Sequence, residues 1–371
     1  MVRPARTPAD LSRFIGFPYR LHRGDSMWVA PLRMEVAKLL DRARNPFFQH
    51  AEAEYFLAEQ GGAVVGRIAA ITNANHAKAH PDEAHVGFFG FFECVNDQAV
   101  ADTLFDAAAT WLRSHGMTVM RGPASPSTND ECGLLVDGFD TPPVMLNPHN
   151  PRYYADLVTR AGFVKVVDLL CYESVGTEPP ARLVEGARKM AERFNITLRP
   201  LSMKHFAREV ELIKTLYNQA WEKNWGFIPM TDAEIDVLAK GLKPVVVSDL
   251  VVFAMKDGEP IGVGISVPDI NVALKKNPSG RAIPGIPILL WHLWRRKITR
   301  LRTLILGVIP AYRRTGADAL MYEWTWRKGR RIGFDWVEAS WMLETNHAVR
   351  NGMERLGFRV YKTLRMYDRA L

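Results

Sequence analysis

The stretch Leu304-Ile305-Leu306-Gly307-Val308-Ile309-Pro310-Ala311-Tyr312-Arg313-Arg314-Thr315-Gly316-Ala317 decides the fold. Its first six residues are β-rich, and beyond Gly316 the apolar residues Leu320, Met321, Trp324 and Ile332 recur at helical spacing. A strand therefore feeds a helix through a turn that carries two arginines and a glycine. The first amides of a helix have no intrahelical acceptor and sit at the positive end of its dipole. Gly316 allows close approach, and the arginines add charge-assisted hydrogen bonds. Val308, Ile309, Arg313, Arg314, Thr315, Gly316 and Ala317 are thus expected to cradle an anion, with phosphate the natural ligand.

Outward from this turn the chain repeats itself. Val252-Phe253-Ala254, an Asp257-Gly258 turn and Pro260-Ile261-Gly262 echo Phe56-Leu57-Ala58, Gly61-Gly62 and Val64-Val65-Gly66. Gly66 and Gly262 are 196 residues apart, and Arg160-Ala161-Gly162-Phe163 precedes Arg355-Leu356-Gly357-Phe358 by 195. Each half then shows a helix, a short strand (Met117 to Met120, Phe334 to Ala339), a second helix and a closing strand (Val164-Leu170, Arg359-Met366). This order predicts an α/β class, an α+β mixed sheet built from two tandem domains. Gly176-Thr177-Glu178-Pro179-Pro180 interrupts the pattern, so the expected domains are 1–178 and 179–371.

The halves are not equivalent. Where the second has its basic turn, the first has Val95-Asn96-Asp97-Gln98-Ala99, with neither arginine nor glycine, so it is expected to be degenerate for phosphate binding. From Gly116 to Phe163 is 47 residues, against 25 from Gly333 to Phe358, which leaves 22 extra residues in the first half. They form an inserted loop, 122–148, that either lines a site or covers a sheet edge.

Composition sets the class. At 371 residues, 47% hydrophobic and 24% charged, the chain reads as globular and larger than one core usually organises. A net charge of +8 and a pI near 9.4 favour an anionic partner. Cys94, Cys132 and Cys171 are widely spaced without a CxxC pair, so neither a disulfide framework nor a metal site is expected, and the setting reads as cytoplasmic. A nucleic-acid partner is not expected, because the arginines cluster without a recognisable binding motif.

The turn, followed by Glu344-Thr345-Asn346 and Leu356-Gly357-Phe358 in that order, resembles the GNAT superfamily, in which such a loop and asparagine bind an acyl thioester. The resemblance adds Asn346 to the expected donor site. Asp318 stands where a small residue normally sits beside the donor's pyrophosphate, so the donor is either acyl-CoA or an acyl-carrier-protein thioester with its single phosphodiester. A finer likeness, to bacterial ceramide synthases and related tandem-GNAT N-acyltransferases, is carried by Asn129-Asp130-Glu131-Cys132-Gly133-Leu134-Leu135-Val136-Asp137-Gly138-Phe139, His149-Asn150-Pro151 and Trp221-Glu222-Lys223-Asn224-Trp225-Gly226-Phe227. It implies transfer of a long acyl chain to a lipid amine such as a sphingoid base, giving a ceramide. Alternatives are an N-acetyltransferase for a small polar amine, with an acyl pocket blocked by Trp341 or Trp324, and a non-catalytic acyl-thioester sensor.

Aminolysis of a thioester needs the amine deprotonated, and an ammonium of lysine type titrates near about 10.4. Glu338 and Glu344 are the candidate bases, with Asn129, Asp130 and Glu131 as further polar candidates. Members of the superfamily often carry a tyrosine acid seven residues after the asparagine. That position is Met353 here, so Tyr361, Tyr153-Tyr154 or water must take its place. Finally, segment 284–302 runs from Ile286-Pro287-Ile288-Leu289-Leu290-Trp291-His292-Leu293-Trp294 into Arg295-Arg296-Lys297. It reads either as a peripheral contact with an anionic membrane or as a core helix with a basic end.

Overall fold

A computed structural model of the chain describes residues 1–221 and 225–371. Glu222, Lys223 and Asn224 of the tryptophan-rich motif lie outside the described residues. In the first half, strands β1 (Val2–Pro4), β2 (Ala51–Gln60), β3 (Ala63–Asn73) and β4 (Val86–Cys94) lead into helix α1 (Gln98–Ser114) and strand β5 (Val119–Gly122). Strand β6 (Leu134–Asp137), helix α2 (Tyr154–Arg160) and strand β7 (Val164–Val175) complete it. The second half opens with α3 (Ala181–Arg193), β8 (Ile196–Pro200), α4 (Phe206–Trp221) and α5 (Asp232–Leu242). The hairpin β9 (Val251–Lys256) and β10 (Glu259–Pro268), helix α6 (Ala282–Trp294) and strand β11 (Arg300–Val308) follow. Helix α7 (Ala317–Ile332), β12 (Trp336–Leu343), α8 (His347–Arg355) and β13 (Arg359–Ala370) close the chain.

All these strands join one mixed sheet, in the order β1-β2-β3-β4-β5-β13-β7-β12-β11-β10-β9-β8, with β6 also paired to β13. The closing strands cross over. β13, the end of the second half, pairs with β5 of the first through Tyr367↔Gly122 to Ala370↔Val119. β7, the end of the first half, pairs with β12 of the second through Trp336↔Val175 to Leu343↔Leu169. β7 and β13 then pair with each other from Arg359↔Glu173 to Asp368↔Val164. Each half therefore borrows its last strand neighbour from the other, which a reading of two consecutive domains does not anticipate. The Gly176–Pro180 segment joins β7 to α3.

Helices cover both faces. On one face of the second half, Ala187 and Ala191 of α3 and Ala317, Leu320 and Met321 of α7 pack on Ile196, Val252, Ala254, Ile261 and Val308. On the other, Leu216 of α4 meets Val251, Phe253, Val263, Ile265 and Val267, joined by Leu212, Ile213, Leu242 and Val246. α5 starts at a capping box in which Thr231 and Glu234 each satisfy the other's backbone N–H. In the first half, Leu104, Phe105, Ala108 and Leu112, at helical spacing on one side of α1, pack on Phe56, Ile68 and Phe89.

Candidate functional site

The parallel pair β11 and β12 runs in register only from Arg300↔Trp336 to Thr303↔Ala339, although β11 continues to Val308 and β12 to Leu343. The ladder between β12 and β7 also shifts between Ala339 and Met342. The strands thus part after Ala339. Beyond Thr303, β11 keeps its partner β10 on one edge, up to Gly262↔Val308, and has no ladder with β12 on the other. A wedge opens there, lined by backbone groups that can pair with an extended ligand.

The basic turn stands at the far end of β11. Gly316 takes a left-handed conformation (φ 80°) and caps α7 without a side-chain acceptor. Among the described residues, the amides of Arg314, Thr315, Gly316, Ala317 and Asp318 donate to no protein acceptor, the condition an anion cradle requires. A Cβ on Gly316 would lie 2.9 Å from the Ala187 carbonyl oxygen, so α3 walls the cradle on one side. Thr315 is buried and its hydroxyl donates to the Tyr312 carbonyl at 2.7 Å, which shapes the turn. Arg314 is exposed and adopts φ 67°. Arg313, expected beside Arg314 as a phosphate ligand, spends its guanidinium on protein: Nη2 donates to the Ala220 carbonyl at 2.7 Å and Nε to that of Val308 at 3.4 Å. It ties the end of β11 to α4. The Ile309 amide is likewise taken, by the Ile261 carbonyl at 2.9 Å. Asn346 caps α8 by accepting from the Val349 amide at 3.3 Å.

On the α4–α5 face, below the wedge, lies a pocket of about 230 Å³. Its walls are apolar: Ile213 of α4, Leu238 and Leu242 of α5, Val246, and Leu304 and Ile305 of β11 are among them. Its polar end is made by Thr128, Asn129 and Asp130 of the inserted loop together with Arg302 and Ser340. The insertion therefore lines the site. Trp341 is in the wall, whereas Trp324 sits on α7 and donates to the Asp249 carbonyl at 2.8 Å.

Behind that polar end, Glu338 is fully buried. Asn147, near the end of the inserted loop, donates to its Oε1 at 3.4 Å and to the Ser340 hydroxyl at 3.0 Å. Desolvation outweighs the neighbouring Arg302 and pushes the Glu338 carboxyl up to about 7. Arg302 Nε lies 3.7 Å from Glu338 Oε2, too far for a hydrogen bond; both atoms, and Arg302 Nη1, lack a hydrogen-bond partner among the described residues. Orphaned polar atoms at one buried spot mark a place built for a polar ligand. Burial also pushes Asp130 up to about 7, against the Ser127 hydroxyl that donates to it at 2.9 Å. Glu131 is exposed, and desolvation by the surrounding protein followed by the neighbouring Asp130 raises its carboxyl to about 7.

The other expected residues fall as follows. Asn129 Nδ2 donates to the Ile228 carbonyl at 2.9 Å, and its Oδ1 accepts from the Tyr217 hydroxyl at 3.0 Å. Tyr361 is mostly buried, its hydroxyl has no partner among the described residues, and desolvation and the nearby Glu338 push the phenol well above its usual range. Glu344 lies away from the pocket lining, accepting from Lys165 Nζ at 2.8 Å and from the Asp168 amide at 2.9 Å on β7. Sequence reasoning misses Arg302 as a site residue and the part played by Asn147. In the sequence Arg302 belongs to a basic cluster, and only the alternation of β11 sets it inward. Among the described residues no group of three His, Cys, Asp or Glu is placed to hold a metal ion.

The first half lacks both features of this site. Its equivalent wedge is closed: Phe91 N–H donates to Ser125 Oγ at 2.8 Å, and a side chain on Gly90 or Gly122 would collide with the Ala124 or Phe89 carbonyl. Its equivalent helix start is also filled, because the Asp97 carboxylate accepts from the amides of Ala99 (2.9 Å) and Val100 (3.4 Å). A carboxylate there takes the place of a phosphate.

A splayed parallel pair feeding an open helix start, present once and blocked once in a duplicated sheet, defines a tandem acyltransferase of the GNAT fold. Solved structures agree on the fold. A tandem GNAT protein from the clavulanic acid biosynthesis pathway aligns with a TM-score of 0.56 at 12% identity, covering 100% of this chain and 98% of that one. A GCN5-related glucosamine N-acetyltransferase region of a fungal multi-domain β-N-acetylglucosaminidase aligns with a TM-score of 0.58 at 12% identity, covering 100% of this chain and 38% of that one. No protein-family profile matches the chain. The bacterial ceramide synthase of Caulobacter vibrioides (strain NA1000 / CB15N) is 38% identical over 376 residues, covering 100% of this chain and 97% of the relative. Protein YghO of Escherichia coli (strain K12) is 33% identical over 381 residues, covering 100% and 95%. The chain belongs to the bacterial ceramide synthase family and is an enzyme, an N-acyltransferase.

Proposed function

We propose that the enzyme transfers a long-chain acyl group from an acyl-CoA or acyl-carrier-protein thioester to the primary amine of a lipid, a sphingoid base, giving a ceramide. The observation that carries this reading is the apolar pocket between α4, α5 and the sheet, whose polar end meets Arg302, Ser340 and the buried Glu338. A short polar amine has no use for such walls. The Caulobacter relative, a ceramide synthase by name, supports the same substrate class.

In this reading the donor's phosphate rests on the free amides of residues 314–318 and on Arg314, and its pantetheine arm runs along the unpaired edge of β11. Its thioester then reaches the point where β11 and β12 part. Asp130 and Asn129 hold the acceptor's polar head. The amine, taken up as the free base, attacks the thioester carbonyl carbon; as the C–N bond forms the nitrogen gives its one surplus proton to Glu338 through the Ser340 hydroxyl, and the C–S bond breaks. A carboxyl near 7 is strong enough to return that proton to the departing thiolate, whose thiol titrates near about 8.5. Glu338 therefore serves as base and then as acid, and no tyrosine is needed at Met353. Tyr361, raised well above its usual range, suits a hydrogen-bond donor better than a proton source. Asp318 in the first turn of α7 disfavours the doubly charged pyrophosphate relative to a single phosphodiester, so the two donors are to be compared side by side.

The test is to incubate purified protein with sphinganine and either palmitoyl-CoA or a palmitoyl-carrier-protein thioester, and to follow the amide by mass spectrometry. The amide is expected from at least one donor. Product from small polar amines but never from sphinganine overturns the reading.

A further inference from the structure

We infer that α6 and the basic turn after it form a docking surface for an anionic lipid bilayer. The helix has two unlike faces. Ile288, Leu289 and Leu293 pack inward on Leu250, Ala273, Ile298, Leu301 and Phe334. Outward, Ile286, Leu290 (58% exposed), Trp291 and Trp294 (75%) lie uncovered at helical spacing, and Ile283 (80%), in extended backbone where the helix is interrupted, adds to the row at its start. Scattered apolar side chains on a surface need no explanation, but an aligned row with two tryptophans does. No helix among the described residues is long and apolar enough to cross a membrane, so this one would lie in the interface.

Charge selects the occupant. Residues 270–317 contain ten Lys and Arg and no Asp or Glu. Arg281 before the helix and Arg295, Arg296 and Lys297 after it are all exposed, and so flank the apolar row at both ends. An anionic leaflet uses both the row and its basic flanks, tryptophans at headgroup depth and cations against the phosphates.

The fold links this surface to the pocket. Val246 and Val251 line the pocket, while their chain neighbours Val247 and Leu250 pack with the inner face of α6. β11 begins six residues beyond Trp294 and carries Arg302 to the pocket and Val308 to the phosphate cradle. Nine residues of strand separate the two ends by roughly 26 Å. A water-soluble donor can thus reach its cradle while α6 rests on the bilayer that holds a lipid amine.

The inference concerns the surface and does not depend on the reaction. Flotation of the full chain with phosphatidylcholine vesicles, with and without phosphatidylglycerol, tests it. Binding is expected to the anionic vesicles, weakened by salt, and reduced about tenfold or more in Leu290→Ser/Trp291→Ser/Trp294→Ser and separately in Arg295→Glu/Arg296→Glu/Lys297→Glu, with melting temperatures unchanged. Failure of the parent protein to bind anionic vesicles overturns the inference, as does binding by either variant as strong as the parent's. So does a serine variant that only converts a dimer to a monomer in light scattering, since that would assign the row to a second copy of the chain.

Discussion

Arg302 and Glu338 face each other in the ladder between β11 and β12, Nε to Oε2 at 3.7 Å, one register step before the strands end their pairing at Thr303↔Ala339. The pair is buried and incompletely bonded at the hinge of the wedge. Burial outweighs the arginine and raises the Glu338 carboxyl to about 7, a value that suits the base proposed for the amine.

Replacing Glu338 by Gln removes the proton acceptor with little change of shape. The expected result is a kcat lowered on the order of 10²–10⁴-fold with KM for both substrates nearly unchanged. Asp130→Asn is expected to raise KM for the amine instead. Initial rates of thiol release separate the two.

Activity should rise with pH through about 7 as Glu338 ionises, and Glu338→Gln should lose that limb. Stability runs the other way. Glu338, Asp130 and Glu131 titrate near 7 in the folded state against ordinary values of 4.5, 3.8 and 4.5, so the folded protein holds more protons than the unfolded chain between about 4 and 7. Their contribution is greatest below about 4 and is lost as pH rises through 7. Urea midpoints measured across this range should fall less steeply in the triple variant Asp130→Asn/Glu131→Gln/Glu338→Gln.

At the cradle, Arg314 and Arg313 should behave differently. Arg314→Glu is expected to raise the donor's KM about tenfold or more, an effect that shrinks with added salt. Arg313→Ala loses hydrogen bonds to the Ala220 and Val308 carbonyls and is expected to lower the melting temperature, with a smaller salt-dependent effect on the donor. Donor titrations at two ionic strengths, beside thermal melts, check both.

In the first half, Asp97→Ala removes the cap of α1. It should cost about 1 kcal/mol of stability and leave donor affinity unchanged, because that helix start has no cofactor to hold. Denaturant unfolding and donor titration on one preparation are sufficient.

Pocket length should set chain length. Val246→Trp or Ile213→Trp fills apolar space and is expected to shift the substrate profile toward shorter chains by about tenfold, for whichever of the two lipid chains occupies it. Profiling donors and amines of graded length by mass spectrometry reads out which one.

Much of the fold is legible in the order of the residues. The duplication, the hairpins at Gly61-Gly62 and Asp257-Gly258, the helices and the open turn at Gly316 all rest on local patterns that neighbouring residues enforce. Glu338 is legible as a candidate because a carboxylate on that strand follows the resemblance. Asn147 is not, since it is 191 residues from the glutamate it touches. Nor is the diversion of Arg313 to two carbonyls, one of them 93 residues away.

By itself the sequence determined which elements form and that only one half keeps a helix start free for an anion, because capping, turn chemistry and apolar periodicity act within a few residues. Only the tertiary structure decided that β7 and β13 exchange neighbours, that the inserted loop closes one wedge and lines the other half's pocket, and that Arg302 and Glu338 meet without bonding fully. Those outcomes depend on strand order and on desolvation by distant parts of the chain, and no local pattern encodes either.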